Sequence, residues 1–557
     1  MSTPTARLVQ CIYHDLGIWE KIERFPDRAG DASRFAAEYL AYNIDRKVEP
    51  YSEKEEVPQK VLRDSLQAFA EAEWNCTVYN MHGRYFSLLD PEEEACFREA
   101  SRLAKLWISR TLMDFWPRWE DQDYTSGASR NLPRSESLRV MKENGGVAGK
   151  LMSTTSSARA YSLMIERNRD EREREVVDDS RFDFVQKTAK AVRFMACEPE
   201  ENMPAQRAVG DCFRAALLAS SLHVNLNDQL PNQQLSRLGS IFRTRGTIDL
   251  SSASDCVALR HLEYLPRRFQ EWCMDLRTPK TSVRGSSYKH TLQKVATMGN
   301  GFIFELQSLL YAGWAYGITA VYGGRECDIA VYGDDIIVST NVAPHLIRFL
   351  EWHGFLVNVQ KTYYHEDEPF RESCGKHWYA GRDVTPFYIK EPIGTLPTIF
   401  RAYNGLKYWT ERTGIALPSA IRYLVELIEK EDRVVVPRNW SITSGLHFPC
   451  KGCKWPKVSY SQHLHRMVIR QRAMEPPTDD VTERVCDHYA LQWFLKEPPL
   501  ELIDRHLYPD PRHVSREVAR DHVGGFPREQ QRIVRGTEVA TSLWSWVNRE
   551  ILPGDVA

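Results

Sequence analysis

VYGDDIIV, residues 331–338, sets two adjacent carboxylates between two apolar, largely β-branched runs, with a glycine just ahead of them. The pattern predicts two short strands, Ile329 to Tyr332 and Ile336 to Val338. Gly333 and Asp334 would form the turn between them, because glycine takes positive φ at no steric cost. Such a hairpin lifts Asp334 and Asp335 to one edge of a sheet. Like charges that close raise each other's proton affinity unless a cation lies between them. Aspartate is an ordinary turn former, which accounts for one acid but poorly for two amid apolar neighbours. Magnesium resolves the repulsion, since hard divalent cations take carboxylate oxygen and keep positions open for phosphate.

A site of that kind needs a third acid from elsewhere in the chain. GTIDLSSASD (246–255) offers Asp249 at the end of a short strand, Thr247 to Leu250. Asp255 comes six residues later, beyond a turn, so its task should differ from metal binding. Between these segments, TMGNGFIFEL (297–306) sets Asn300 between Gly299 and Gly301 ahead of an apolar helix.

The wider composition bounds the reading. The chain has 557 residues, 42% apolar and 27% charged, so a globular protein of ~3–4 domains is expected. A net charge of -2 neither suggests nor excludes nucleic acid, because binding depends on where charge sits. MSTPTARLVQCIYHDLG lacks the apolar core of a secretory signal. Glu305 and Gln307 interrupt the apolar stretch Gly301 to Gly323, which reads as buried in protein rather than in lipid. The twelve cysteines read as reduced thiols. Only Cys450 and Cys453 show CxxC spacing, and with His463, His465, Cys486 and His488 they match no standard zinc pattern.

Residues 1–100 read as helical, for example around Val61 to Ala72, and Trp107 to Trp119 as an aromatic helix. NGGVAGK (144–150) fails as a phosphate loop, since three residues separate Gly145 from Gly149 and Leu151 stands where Ser or Thr should be. RNRDEREREVVDD (167–179) reads as a solvated helix or connector. Lys187, Lys190 and Arg193 recur every three residues, as a basic face or a phosphate-binding edge. Strand-and-turn character is strongest over 246–395. Helix returns after Pro397, with an amphipathic segment at 416–430. Seven arginines mark the tail 505–536.

In their order, TIDLSSASD, TMGNGFIFELQS, YGDDIIV and FRESCGKHWYAGRDVTPFYIK (370–390) resemble the replicase subunit of small positive-strand RNA bacteriophages, the leviviral group. LNDQLPNQQLSRLGS (226–240) and ACEPEENM (196–203) strengthen the match, which covers about 185–395. The resemblance implies an α+β right-hand polymerase with fingers, palm (an antiparallel sheet with helices) and thumb. The expected division is a helical N-terminal region (1–100) bridging fingers and thumb, fingers (101–245), palm (246–395), and thumb with C-terminal region (396–557).

It also implies roles. Asp249 and Asp334 would hold two magnesium ions, with manganese an acceptable substitute, Asp335 assisting and Leu250 adding its carbonyl. Lys361, in GFLVNVQKT (354–362), would be the general acid toward pyrophosphate. Asp255 and Asn300 would sense the ribose hydroxyls, and Lys187, Lys190 and Arg193 the triphosphate. Ser126, Gly127, Gly299, Gly301 and Arg371 would contact template or primer. Ile303 stands where relatives often carry a hydroxyl side chain. The implied activity is RNA-templated RNA synthesis that copies a positive-sense phage genome through a complementary strand, starting without a primer. Implied partners are template RNA, ribonucleoside triphosphates, host translation elongation factors and a ribosomal protein, in the bacterial cytoplasm and without a membrane. A reverse transcriptase typically places a bulky aromatic where Asp255 stands, and a silent RNA-binding protein would not need all of these acids.

Overall fold

The computed structural model of the protein describes residues 3–26, 31–47, 59–85, 90–120, 122, 124, 128–132, 150–155, 173–188, 191–283, 287–389, 392–436, 438, 441–453, 457–461, 466–472 and 538–542. The chain divides into two compact units, Lys54–Asp383 and a second made of Met1–Glu53 with Val384–Ala557. All of the candidate acids fall in the first.

In chain order the helices α1 (Pro4–Leu16), α2 (Ala32–Lys47), α3 (Gln59–His82) and α4 (Pro91–Leu112) come first. Strands β1 (Lys150–Ser153), β2 (Glu173–Val176), β3 (Asp179–Thr188) and β4 (Ala191–Cys197) follow, then helices α5 (Asn202–Ala219) and α6 (Leu230–Phe242). Strands β5 (Arg245–Ile248) and β6 (Leu250–Ser251) precede α7 (Arg267–Leu276), β7 (Lys280–Val283), β8 (Lys289–Thr291) and α8 (Ile303–Tyr322). The hairpin β9 (Ala330–Tyr332) and β10 (Asp335–Ser339), helix α9 (Ala343–Trp352), β11 (Leu356–Val357), β12 (Phe370–Ser373), β13 (Lys376–Tyr379) and β14 (Arg382–Asp383) complete the first unit. The second unit, to which α1 and α2 belong, adds α10 (Leu396–Thr413), α11 (Pro418–Glu426), β15 (Lys457–Ser461), β16 (Arg466–Arg472) and β17 (Glu538–Ser542). The fold is α+β.

The site rests on a three-stranded antiparallel sheet in the order β5-β10-β9. Ile336 pairs with Ile248 and Asp335 with Tyr332. Ile248, Ile336, Ile337 and Val338 are buried, and because consecutive strand residues point to opposite faces, β10 is covered on both sides. Behind the hairpin lies α8, apolar on every side because α4, α5, α9 and the hairpin surround it. At Gly317 a Cβ would stand 2.2 Å from the Ala100 carbonyl oxygen, so only glycine lets α4 approach this closely. The two polar residues that interrupted the apolar stretch are partnered, Glu305 by Arg214 of α5 and Gln307 by the Ser254 hydroxyl at 2.9 Å. Among the described residues no helix is long and apolar enough to cross a membrane.

Two sequence expectations fail here. Part of the charged run 167–179 is strand rather than solvated helix or connector: β2 pairs in parallel with β1, and Asp179 opens β3. Its acids meet fixed partners, with Asp178 accepting from Lys280 at 2.7 Å and Asp179 from Arg130 at 3.0 Å. The helix expected over Trp107 to Trp119 stops at Leu112, where Arg268 donates to the carbonyls of Leu112 and Met113, each at 2.7 Å, and caps the helix end.

Candidate active site

At the turn between β9 and β10, Gly333 has φ 60°. Its N–H donates to Ser308 Oγ at 3.1 Å, and a Cβ would stand 2.5 Å from the Phe304 ring. The turn geometry and α8 behind it thus both require glycine. Asp334 follows, half-buried at the tip, and Asp335 begins β10.

The β5–β10 pairing sets Asp249, between β5 and β6, beside this turn. Its N–H donates to Thr362 Oγ1 at 3.3 Å, and its carbonyl accepts from the Asn358 N–H at 2.9 Å. Asn358 Nδ2 also donates to Asp249 Oδ2 at 2.8 Å. Lys361 Nζ stands 4.0 Å from the same oxygen, at the end of a 3-10 turn (Val359–Lys361). Leu250 is buried and pairs with Val357 of β11, so only its main chain faces the site.

The acids differ in condition. Asp335 Oδ1 accepts from the Cys374 N–H at 3.1 Å and from Ser373 Oγ at 3.2 Å. Burial, with the charges of Asp334 and Asp249 added, pushes Asp335 up to about 7 against those two donors. Burial also pushes Asp249 up to about 6; Lys361 and Asn358 oppose the rise, and Asp334 adds to it. Burial pulls the Lys361 ammonium down, but Glu372, Asp249, Asp335 and Asp334 outweigh it, and its pKa is raised. Among the described residues no three His, Cys, Asp or Glu side chains already stand as a metal-holding cluster. Asp249 and Asp335 are instead turned to Asn358 and Cys374.

Asp255 lies on a separate 3-10 turn (Ala253–Cys256), where Oδ1 accepts from Lys294 Nζ at 3.0 Å. Asn300 is buried, and its Oδ1 accepts from the Phe302 N–H at 3.0 Å as α8 begins. Arg193 is exposed on β4, opposite Val185. Lys187 falls on β3 with its side chain outside the described residues, as are Lys190, Ser126 and Gly127 altogether.

One expected template or primer contact is corrected. Arg371 is 0% exposed. Its guanidinium donates to the carbonyls of Arg245 at 2.7 Å, Glu368 at 2.8 Å, Phe370 at 2.7 Å and His365 at 3.1 Å. It braces β12 against β5 and has no face for RNA. At Gly299 a Cβ would stand 2.4 Å from the Ala196 carbonyl oxygen, and at Gly301 3.0 Å from the Arg207 nitrogen. Close packing on β4 and α5 requires glycine at both positions, and Gly299 stays exposed.

Sequence reasoning missed Asn358, Ser373, the Cys374 N–H, Lys294 and Glu73. Asn358 left a trace, as a polar side chain between valines three residues before Lys361. Cys374 acts through its main chain, which no residue type reveals. Cys450 and Cys453 carry free thiols in a turn closed by the Cys453 N–H on the Cys450 carbonyl at 3.1 Å. His463, His465, Cys486 and His488 lie outside the described residues.

Fold and site together define an α+β protein with a carboxylate pair at a hairpin tip, a third acid beside it and a lysine at its rim. A family model described as RNA replicase, beta-chain, matches residues 6–544, and the chain belongs to that family. It is 38% identical over 272 residues to the RNA-directed RNA polymerase subunit beta of Enterobacteria phage SP, a match covering 49% of this chain and 46% of that one. It is 37% identical over 258 residues to the corresponding subunit of Escherichia virus Qbeta, covering 45% and 43%. It is 38% identical over 245 residues to the beta chain of Escherichia phage MS2, covering 44% of each. The matched stretch thus spans less than half the length of these relatives. A solved structure called RdRp complex aligns with 59% of this chain and 32% of its own at 11% identity and a TM-score of 0.39.

Proposed function

We propose that the chain is a phage RNA-directed RNA polymerase that copies a single-stranded positive-sense genome through a complementary strand. Its substrates in this reading are template RNA and ribonucleoside triphosphates. The supporting observation is the convergence of Asp249 with the Asp334–Asp335 turn, within a member of the replicase beta-chain family.

The donor chemistry suits two magnesium ions, with manganese able to substitute. It is all hard oxygen, and burial with mutual repulsion raises the proton affinity of Asp249 and Asp335, a cost that a divalent cation would relieve. Asp249 and Asp334 are the assigned ligands, with Asp335 and the Leu250 carbonyl in support. When bound, such ions lower the proton affinity of an attacking hydroxyl and neutralise charge on the triphosphate. The other tasks belong to side chains and main chain. Asn358 orients the Asp249 carboxylate, and Ser373 with the Cys374 N–H orients Asp335. Lys361, kept protonated by the surrounding acids, gives a proton to the departing pyrophosphate. Asp255 and Asn300 read the ribose hydroxyls, and Arg193 with Lys187 and Lys190 meets the triphosphate.

In the same reading 101–245 form fingers, 246–395 palm and 396–557 thumb. Initiation without a primer, association with host elongation factors and a ribosomal protein, and action in the host cytoplasm belong to it through the resemblance. The test supplies purified protein with template RNA and magnesium, and with either ribonucleotides or deoxynucleotides. Ribonucleotides are expected to be incorporated and deoxynucleotides refused. Incorporation of deoxynucleotides alone points to a reverse transcriptase, and RNA binding without incorporation to a silent binder; either rejects the reading.

A further inference from the structure

We infer that Lys294, clamped by Glu73, is a positioning residue that holds Asp255 for recognition of the incoming nucleotide's ribose, an inference that rests on the polymerase reading above. Lys294 is 0% exposed. Its Nζ donates to Asp255 Oδ1 at 3.0 Å, stands 3.2 Å from Glu73 Oε1 and lies 3.5 Å from the centre of the Phe69 ring. Two acids and an aromatic face therefore enclose the ammonium, and Lys294 cannot itself touch a nucleotide.

Glu73 is fixed in turn. Its Oε2 accepts from the Gln293 N–H at 2.9 Å, and His290 Nε2 lies 3.4 Å from the same oxygen. Helix α3 thereby grips the segment leading from β8 to the Gly299–Gly301 turn. Cys76, one turn further along α3, donates its thiol to the Asp255 carbonyl at 3.5 Å.

The cluster is closed at one end and open at the other. Lys294 is sealed, the Glu73 side chain is 8% exposed and the Asp255 side chain 15%. Among the described residues the Lys294 bond is the one hydrogen bond its carboxylate accepts. The Lys294 bond to Oδ1 fixes the rotamer of Asp255 and leaves Oδ2 to accept a ribose O–H. A site built to bond a hydroxyl discriminates strongly against an analogue that lacks it.

The test measures kcat and KM for a ribonucleotide and its deoxy counterpart on template RNA, with Lys294→Met, Lys294→Arg, Glu73→Gln and Asp255→Asn beside wild type. Lys294→Met is expected to raise KM for the ribonucleotide and to narrow the ribo-to-deoxy ratio of kcat/KM by about tenfold or more. Lys294→Arg should keep most of that ratio, and Glu73→Gln should narrow it less than Lys294→Met does. An equal loss for both nucleotides with the ratio intact marks a staple and overturns the inference. If Lys294→Met does not fold, an unchanged ratio in Glu73→Gln overturns it. A wild type that incorporates no ribonucleotide defeats the polymerase reading itself. A ratio moved by Asp255→Asn but by neither Lys294→Met nor Glu73→Gln defeats only this inference.

Discussion

Asn358 holds Asp249 twice, through its N–H on the main-chain carbonyl and its side-chain amide on the carboxylate. A group that orients a metal-binding carboxylate shares in its affinity, and its loss typically costs 10–100-fold. Asn358→Ala is therefore expected to slow nucleotide addition by about 10–100-fold and to raise the magnesium needed for half-maximal rate, with little change in Tm. A magnesium titration of initial rates checks this, and an unshifted curve would count against the role. Legibility at this scale follows residue type. Two adjacent aspartates behind a glycine announce themselves, whereas a main-chain N–H such as that of Cys374 leaves no mark in a sequence. Lys294 and Glu73 are invisible for another reason, since 221 positions separate them and only the fold joins α3 to that loop.

Strands and their braces set the next scale. Arg371 looks from sequence like a basic residue waiting for phosphate, because residue type does not show the four carbonyls that surround it. Arg371→Met would leave those buried acceptors without donors, a loss of about 3 kcal/mol or more. The expected outcome is a clearly lower urea midpoint with unchanged RNA affinity in the fraction that stays folded. A weaker affinity at unchanged stability would restore the contact role. The hairpin strands were readable because β-branched runs flank a glycine turn, and they appear within a residue of the expected bounds. The stop of α4 at Leu112 was not readable, because its cap comes from Arg268, 156 positions away.

Across the whole molecule, the core around α8 contains two buried histidines locked as neutral rings. His353 Nδ1 donates to the Phe349 carbonyl at 2.8 Å, and its Nε2 accepts from the Tyr264 hydroxyl at 2.7 Å. His261 Nδ1 accepts from the Ala258 N–H at 2.9 Å, and its Nε2 donates to the His353 carbonyl at 3.1 Å. Burial pushes His353 down to about 3 and His261 well below its ordinary value. Above pH 6.5 neither the folded nor the unfolded state binds these protons. Below 6.5 the unfolded chain takes up a proton that the folded core refuses, so stability falls as pH drops toward 3, by about 1.4 kcal/mol per unit for each histidine. Urea midpoints at pH 7.5 and 5.5 should show that loss, and His353→Gln should flatten it; equal slopes would contradict the buried neutral pair. Apolar periodicity made this core legible in outline, but the histidines at its centre gave no sequence signal.

The central claim is that the acid at the hairpin tip performs chemistry rather than forming a turn. Its most direct test is template-directed ribonucleotide incorporation by Asp334→Asn beside wild type, with RNA affinity measured on the same preparations. The expected result is incorporation at background and RNA affinity at the wild-type level. Full incorporation by the variant would contradict the metal assignment and, with it, the reading of the VYGDDIIV hairpin.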